Sequence, residues 1–127
     1  MIYVRDADGS VQSVGEKLRQ AVAANGMNVI GAYDLREKLG GDCSGVRRQC
    51  LVFEVCHPRR TARALDADMS LSTVLPARIS VYEHGGRVRI ASLKPMELLG
   101  MFDHPDLDPI AQEAENAVVC IIDAACR

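Results

Sequence analysis

The sequence predicts an α+β domain: a small antiparallel or mixed sheet with helices packed on one of its faces. Three observations carry that prediction. Arg78–His84 and Arg87–Leu93 flank Gly85-Gly86, the pattern of a hairpin whose two turn residues have free access to positive φ. Cys50 to Cys56 is an apolar run of strand length, interrupted only by Glu54. Ile110, Ala114, Ala117, Val118, Ile121 and Ala125 recur at helical spacing near the C-terminus. With 127 residues, 48% of them hydrophobic, the chain is sized for a single domain over residues 1–127 with a core of its own.

In chain order, Ile2-Tyr3-Val4 reads as a first strand, closed by a turn over Asp6 to Gly9. Ser13-Val14-Gly15-Glu16 has the form of a capping box, with Ser13 as N-cap and Glu16 three residues in. Val14, Leu18, Ala21 and Val22 then follow on one helical face, and Asn25-Gly26 ends the helix. Met27 to Tyr33 is the second strand. Asp34 to Gly45 reads as a loop with room for one helical turn at Leu35 to Leu39. Cys50 to Cys56 is a central, buried strand, and Pro58 is the first residue of a helix running to about Asp68.

The hairpin register pairs His84 with Arg87, Tyr82 with Arg89 and Val81 with Ile90. Ile79, Val81, Val88 and Ile90 then share one face, and Ser80, Tyr82, His84, Arg87 and Arg89 share the other. Such a sheet buries one side only. Lys94-Pro95 opens a short helix over Met96 to Phe102. Asp103 to Asp106 is a loop, and Asp108, followed by Pro109, caps a final amphipathic helix. The order is roughly βαββαββαα.

Composition argues against several function classes. Net charge is −2, from 15 basic and 17 acidic residues, which is no footprint for nucleic acid or an anionic membrane. Aromatics are only 4% and Trp is absent, so base-stacking platforms lack their material. The N-terminal segment lacks the pattern of a signal peptide, and the longest apolar run, Ala117 to Ile122, is too short to span a bilayer. A cytoplasmic location is expected. The five cysteines, at 43, 50, 56, 120 and 126, form no CxxC pair, and an odd count argues against a disulfide framework. No dinucleotide, P-loop, nucleophile-elbow or zincin motif is present, and no motif names a cofactor.

One corner is chemically suggestive. Cys56 ends the buried strand and precedes a helix N-terminus, a place that favours the thiolate. Arg59, Arg60 and Arg63 put positive charge in the first turns of that helix, against the dipole, which suggests an anion to be held there. The functional reading is a reactive Cys56 or an anion site with His57 and these arginines. The plainer reading is a packed cysteine beside a solvated arginine face. Glu54 shares a strand face with Cys50, Val52 and Cys56 by alternation. It reads as a base for the thiol or, more simply, as the partner of an arginine such as Arg89.

A metal set drawn from Cys43, Cys50, Cys56 and His57 is weakened by geometry, because six strand residues span roughly 20 Å. A smaller set of Cys56 with His57, His84 or His104 stays open, and no specific metal site is expected. Cys120 and Cys126 do not share a helix face well.

Val55-Cys56-His57-Pro58, then Ala62, Ala64-Leu65, Leu75-Pro76, Val81-Tyr82-Glu83 and Lys94-Pro95-Met96 form an ordered series. From about Ser13 to Ala125 it resembles the bacterial and archaeal domain-of-unknown-function family 302. The resemblance implies a compact α+β domain that dimerises through its sheet, and implies no settled activity. Many members carry Cys-Asn-Pro at the strand-to-helix turn and Leu-Pro-Cys before the hairpin. Here these are Cys56-His57-Pro58 and Leu75-Pro76-Ala77, so the second cysteine is missing. Tyr82, His84 and Arg89, on the hairpin's polar face, line a ligand cleft, a dimer interface or an ordinary wet sheet face, and between the last two the resemblance favours the interface.

The expectation is a homodimeric binding or accessory protein holding a small anionic or sulfur-containing ligand near Cys56. Its ligand-binding residues would be Cys56, His57, Arg59, Arg60, Arg63, Tyr82 and Arg89. A thiol-dependent enzyme or sulfur carrier, with Cys56 and Glu54 catalytic, and a purely structural interaction domain are the alternatives.

Overall fold

The computed structural model describes residues 1–40 and 47–127. The chain forms β1 (Ile2–Ala7), α1 (Val11–Ala24), β2 (Asn28–Asp34), α2 (Leu35–Leu39) and β3 (Cys50–Cys56). There follow α3 (Pro58–Ala67), a 3₁₀ turn over Met69–Thr73, and the hairpin of β4 (Ala77–His84) and β5 (Arg87–Leu93). It closes with α4 (Pro95–Gly100), a 3₁₀ turn over Pro105–Leu107, and α5 (Asp108–Ala125). Among the described residues, five strands make one sheet in the order β1-β5-β4-β3-β2. Every pairing in it is antiparallel. The α+β class is what the sequence predicts, and the sheet is antiparallel rather than mixed.

The hairpin register is also the predicted one, with Val81 opposite Ile90, Tyr82 opposite Arg89 and His84 opposite Arg87. Ile79, Val81, Val88 and Ile90 are buried on the inner face. Leu51, Phe53 and Val55 from β3 join them there, and α1 and the C-terminal half of α5 cover the layer. α1 gives this layer Val11, Val14, Leu18 and Val22, and α5 gives Val118, Ile121 and Ile122. Burying such side chains stabilises by roughly 1.5–3 kcal/mol each.

A second, smaller core of Ala64, Leu71, Leu99, Leu107 and Ala111 lies at the Cys56 end of the sheet. It is built where α3, α4 and the first turn of α5 meet. Asp68 and His104 close it from outside, with His104 Nε2 and Asp68 Oδ2 2.8 Å apart.

Five local expectations are corrected. β1 runs on to Ala7, with Asp6 opposite Arg89, so the turn begins at Asp8 rather than Asp6. The N-cap of α1 is Ser10, not Ser13; Ser13 is the third helical residue and bonds back to Ser10, so the box is Ser10 with Ser13 rather than Ser13 with Glu16. Both serines fit the motif, and Val11 extends the buried stripe one turn earlier than Val14. Asp108 is already helical and makes no cap bond, because the 3₁₀ turn over Pro105–Leu107 runs directly into α5. α4 starts at Pro95 and ends at Gly100, short of Phe102. β3 is interior but not central; β4 occupies the middle of the sheet. The helical turn at Leu35–Leu39 forms, capped by Asp34 accepting from the Glu37 N–H at 3.1 Å.

A pH dependence follows from Asp68. Ser70 donates to it from its hydroxyl and its backbone N–H, and His104 bonds it as well. Together these hold its pKa below the usual carboxylate value. A carboxylate with a depressed folded pKa contributes stability above its unfolded pKa and loses it as pH falls through the folded value. The Tm difference between wild type and Asp68→Asn is therefore expected to be largest near neutral pH and to shrink as pH falls below the unfolded aspartate value of about 3.9. Thermal melts at neutral pH and below that value check this; an unchanged difference would remove the ionised carboxylate as its cause.

Candidate functional site

β3 delivers Cys56 to the edge of the second core, where it is 7% exposed. His57 breaks the strand with extended backbone and becomes the N-cap of α3, and Pro58 starts the helix. The His57 Nδ1 accepts from the Arg60 backbone N–H at 3.3 Å. A nitrogen that accepts this bond carries no proton, so the Nδ1 is committed to the cap. Only Nε2 is left for other chemistry.

The pocket beside Cys56 is lined by Met27, Val55, His57, Thr61, Leu75 and Leu99 among others, and holds about 30 Å³. That is room for about two or three waters, since a water needs roughly 10–15 Å³ by this measure. Its wall is almost wholly apolar. Arg60 lines the pocket too, with its charge paired there: its Nε lies 2.9 Å from a carboxylate oxygen of Glu113 on α5. Arg59 and Arg63 are exposed, four residues apart on the outside of α3, with no ion pair among the described residues.

Glu54 does not meet Cys56. It takes a hydrogen bond from the Tyr33 hydroxyl across β2 and β3. That bond to a carboxylate raises the Tyr33 pKa above its ordinary value. Gly31 makes room for the pair: a Cβ there would lie 2.7 Å from Glu54 Oε1 and 3.1 Å from the Tyr33 hydroxyl. Glu54 lines a different cleft from Cys56, together with Arg78. Arg89, the arginine foreseen for Glu54, bonds instead to Asp6 on β1 at 3.1 Å. That bond, with Arg87 nearby, holds Asp6 below the usual carboxylate value.

Tyr82 and Arg89 lie on the outer face of the sheet, with Tyr82 edge-on to His84 at 6.4 Å. Tyr82 is opposite Cys50, six residues from Cys56 along β3, so the two are about 20 Å apart. The sequence-predicted residues thus fall into two groups. Cys56, His57 and Arg60 meet at the end of β3, with Arg59 and Arg63 outside them. Tyr82 and Arg89 belong to the open face.

The other cysteines are also dispersed. Cys50 Sγ lies 3.7 Å from the Ser80 hydroxyl, Cys126 is buried and donates to the Asp123 carbonyl at 3.3 Å, and Cys120 is exposed. Cys43 lies outside the described residues. Among the described residues, no three His, Cys, Asp or Glu side chains gather in a way that could hold a metal ion.

The outer face has no helix over it. Its floor is Val52 and Ala91, each 5% exposed, and around them Ile2, Val4 and Leu93 are 55%, 37% and 46% exposed. Tyr33 and Arg78, which sequence reasoning did not single out, belong to this face too. Alternation places both there once β3 is known to pair with β2 and β4, and that pairing is the missing signal.

Comparison with known proteins agrees with the architecture. No curated protein matches the chain. The crystal structure of an uncharacterized conserved DUF302 protein from Bacillus stearothermophilus superposes with a TM-score of 0.90 at 28% identity, covering 99% of this chain and 98% of that one. Among the described residues no helix is long and apolar enough to cross a membrane. The family model "Domain of unknown function DUF302" matches residues 3–125, and the chain belongs to that family.

Proposed function

We propose that the protein is a homodimeric binding or accessory module whose two copies meet through the open face of the sheet. The observation that carries this reading is the uncovered strip of Ile2, Val4, Val52, Ala91 and Leu93, with charges paired within the chain at its Asp6 end and Arg78 at the other. Asp6 is paired to both Arg87 and Arg89, and Asp8 also pairs with Arg87, so enclosing that end of the strip strands no single charge. A patch with an apolar middle and both signs at its edge is self-complementary, which a two-fold interface requires. In this reading a small anion has its place outside Cys56, against the exposed Arg59 and Arg63, because the pocket itself is too small for more than water. The thiol-enzyme reading is weaker: Cys56 is buried, Glu54 is held elsewhere by Tyr33, and the His57 Nδ1 caps a helix.

Val4 lies opposite Ala91 in the middle of the strip and is exposed enough to accept a charge. Native mass spectrometry at low-micromolar protein is expected to show a dimer for the wild type and a monomer for Val4→Asp. Leu93→Asp, at the other end of the strip, is expected to do the same. A monomeric wild type, or dimers that survive both substitutions, would reject the interface.

A further inference from the structure

At the Cys56 end of the open face, the segment leading from the Met69–Thr73 turn into β4 overhangs the sheet. It encloses a cleft of about 330 Å³ lined by Glu54, Thr73, Leu75, Arg78, Leu93 and Leu98, among others. That is an order of magnitude more room than beside Cys56, and it reaches the lower end of the range for small-ligand sites, roughly 300–1,000 Å³. The lining is mixed. Leu75, Leu93 and Leu98 with Val74 and Pro76 form an apolar wall, and Glu54 and Arg78 bring one charge of each sign.

Those two charges are opposite each other in register on β3 and β4. Residues so placed have Cβ atoms about 5 Å apart. No ion pair joins them, however, and Arg78 has no ion-pair partner among the described residues. Glu54 uses one oxygen, Oε1, for the Tyr33 hydroxyl. Its other oxygen takes no side-chain hydrogen bond among the described residues. Neighbouring opposite charges that share a cleft without closing on each other suit a molecule that carries both.

We propose that this cleft binds a small zwitterion with an apolar body, the chemistry of an aliphatic α-amino acid. The carboxylate meets the Arg78 guanidinium, whose planar fork matches it. The ammonium meets the free oxygen of Glu54, and the aliphatic part lies against Leu75, Leu93 and Leu98. A simple anion is repelled by Glu54 and a simple cation by Arg78, so the pair selects for both groups together. The cleft is formed within one chain and shares only Leu93 with the strip proposed as the interface, so a variant at Val4 tests the interface without altering the cleft.

The probe is L-leucine, titrated into the ¹⁵N-labelled full chain and followed by amide shifts. Isocaproate, which lacks the amine, and isoamylamine, which lacks the carboxylate, are the comparisons. Saturable shifts at Thr73, Ala77 and Leu98 are expected with leucine. Each comparison compound is expected to bind about tenfold or more weakly, the loss of one charged hydrogen bond. Arg78→Gln and Glu54→Gln should each weaken leucine by a similar factor while keeping the wild-type circular dichroism spectrum. Val4→Asp, whether or not it dissociates the dimer, should leave leucine binding intact. The proposal falls if millimolar leucine gives no saturable shift, if isocaproate binds as well as leucine, or if Arg78→Gln binds unchanged. It also falls if Arg78→Gln loosens the dimer in the absence of any leucine binding, since the charges would then serve the interface.

Discussion

Phe53→Ala is expected to destabilise the protein by about 3–5 kcal/mol, the largest loss available from one side chain here. Phe53 is 2% exposed and, among the described residues, is the only aromatic ring fully inside the main core. It sits on β3, with Ala32 of β2 on one side and Ile79 of β4 on the other. Helix α1 approaches it closely: a Cβ on Gly15 would lie 3.3 Å from the ring edge, so the helix comes down onto the sheet where that residue has no side chain. From the solvent side the Arg19 guanidinium covers the ring at 5.2 Å. Truncation therefore opens a cavity between two layers that are each held by other contacts, and neither can collapse far to fill it. With a total stability of about 5–15 kcal/mol, the variant keeps between almost none and about four-fifths of it. Urea unfolding should show a lower midpoint at unchanged slope, and Phe53→Leu should recover much of the loss. A loss below about 1 kcal/mol would mean that the sheet and α1 are not packed as described.

Much of this architecture was legible because its signals are local and periodic. The hairpin announced itself through Gly85-Gly86 and alternation, β3 through its apolar run, and α5 through its stripe. The misplaced caps have a common cause. Ser10 and Ser13 are both acceptable N-caps, and tertiary burial of Val11, which local sequence does not display, decides between them. Asp108 satisfies every local rule for a cap, yet a preceding 3₁₀ turn takes over the start of α5.

The candidate site was less legible, for a different reason. Cys56, His57 and Arg60 are adjacent in sequence, so their proximity was foreseeable. Tyr33, Glu54 and Arg78 come from three strands, and only the β2-β3-β4 pairing brings them together. A single sequence carries no direct signal of which strands are neighbours. The same limit explains why Arg89 was matched to Glu54 in expectation and bonds to Asp6 in the structure. β1 returns to pair with β5 from the far end of the chain, and nothing in its own residues says so.

Thiol labelling separates the two main readings of Cys56 with the widest expected margin. On the native protein, iodoacetamide is expected to modify Cys120 first, because it is exposed on α5. Cys56 and Cys126 are 7% and 8% exposed, and Cys126 also donates to the Asp123 carbonyl. Each reacts only when its surroundings open. If that opening costs about 3 kcal/mol, labelling slows on the order of a hundredfold relative to Cys120. Peptide mapping by mass reads each cysteine separately, and labelling in denaturant should bring the rates together. A nucleophilic thiol behaves in the opposite way: the thiolate reacts, and it must be reachable to do so. Slow Cys56 labelling under native conditions therefore makes the residue part of the packing between β3 and the second core. The thiol-dependent reading then loses its nucleophile, and the proposed interface and cleft are judged by their own tests. Labelling of Cys56 that matches or outpaces Cys120 would mean the pocket opens readily and the thiol is activated, and the thiol-dependent reading would displace the binding module.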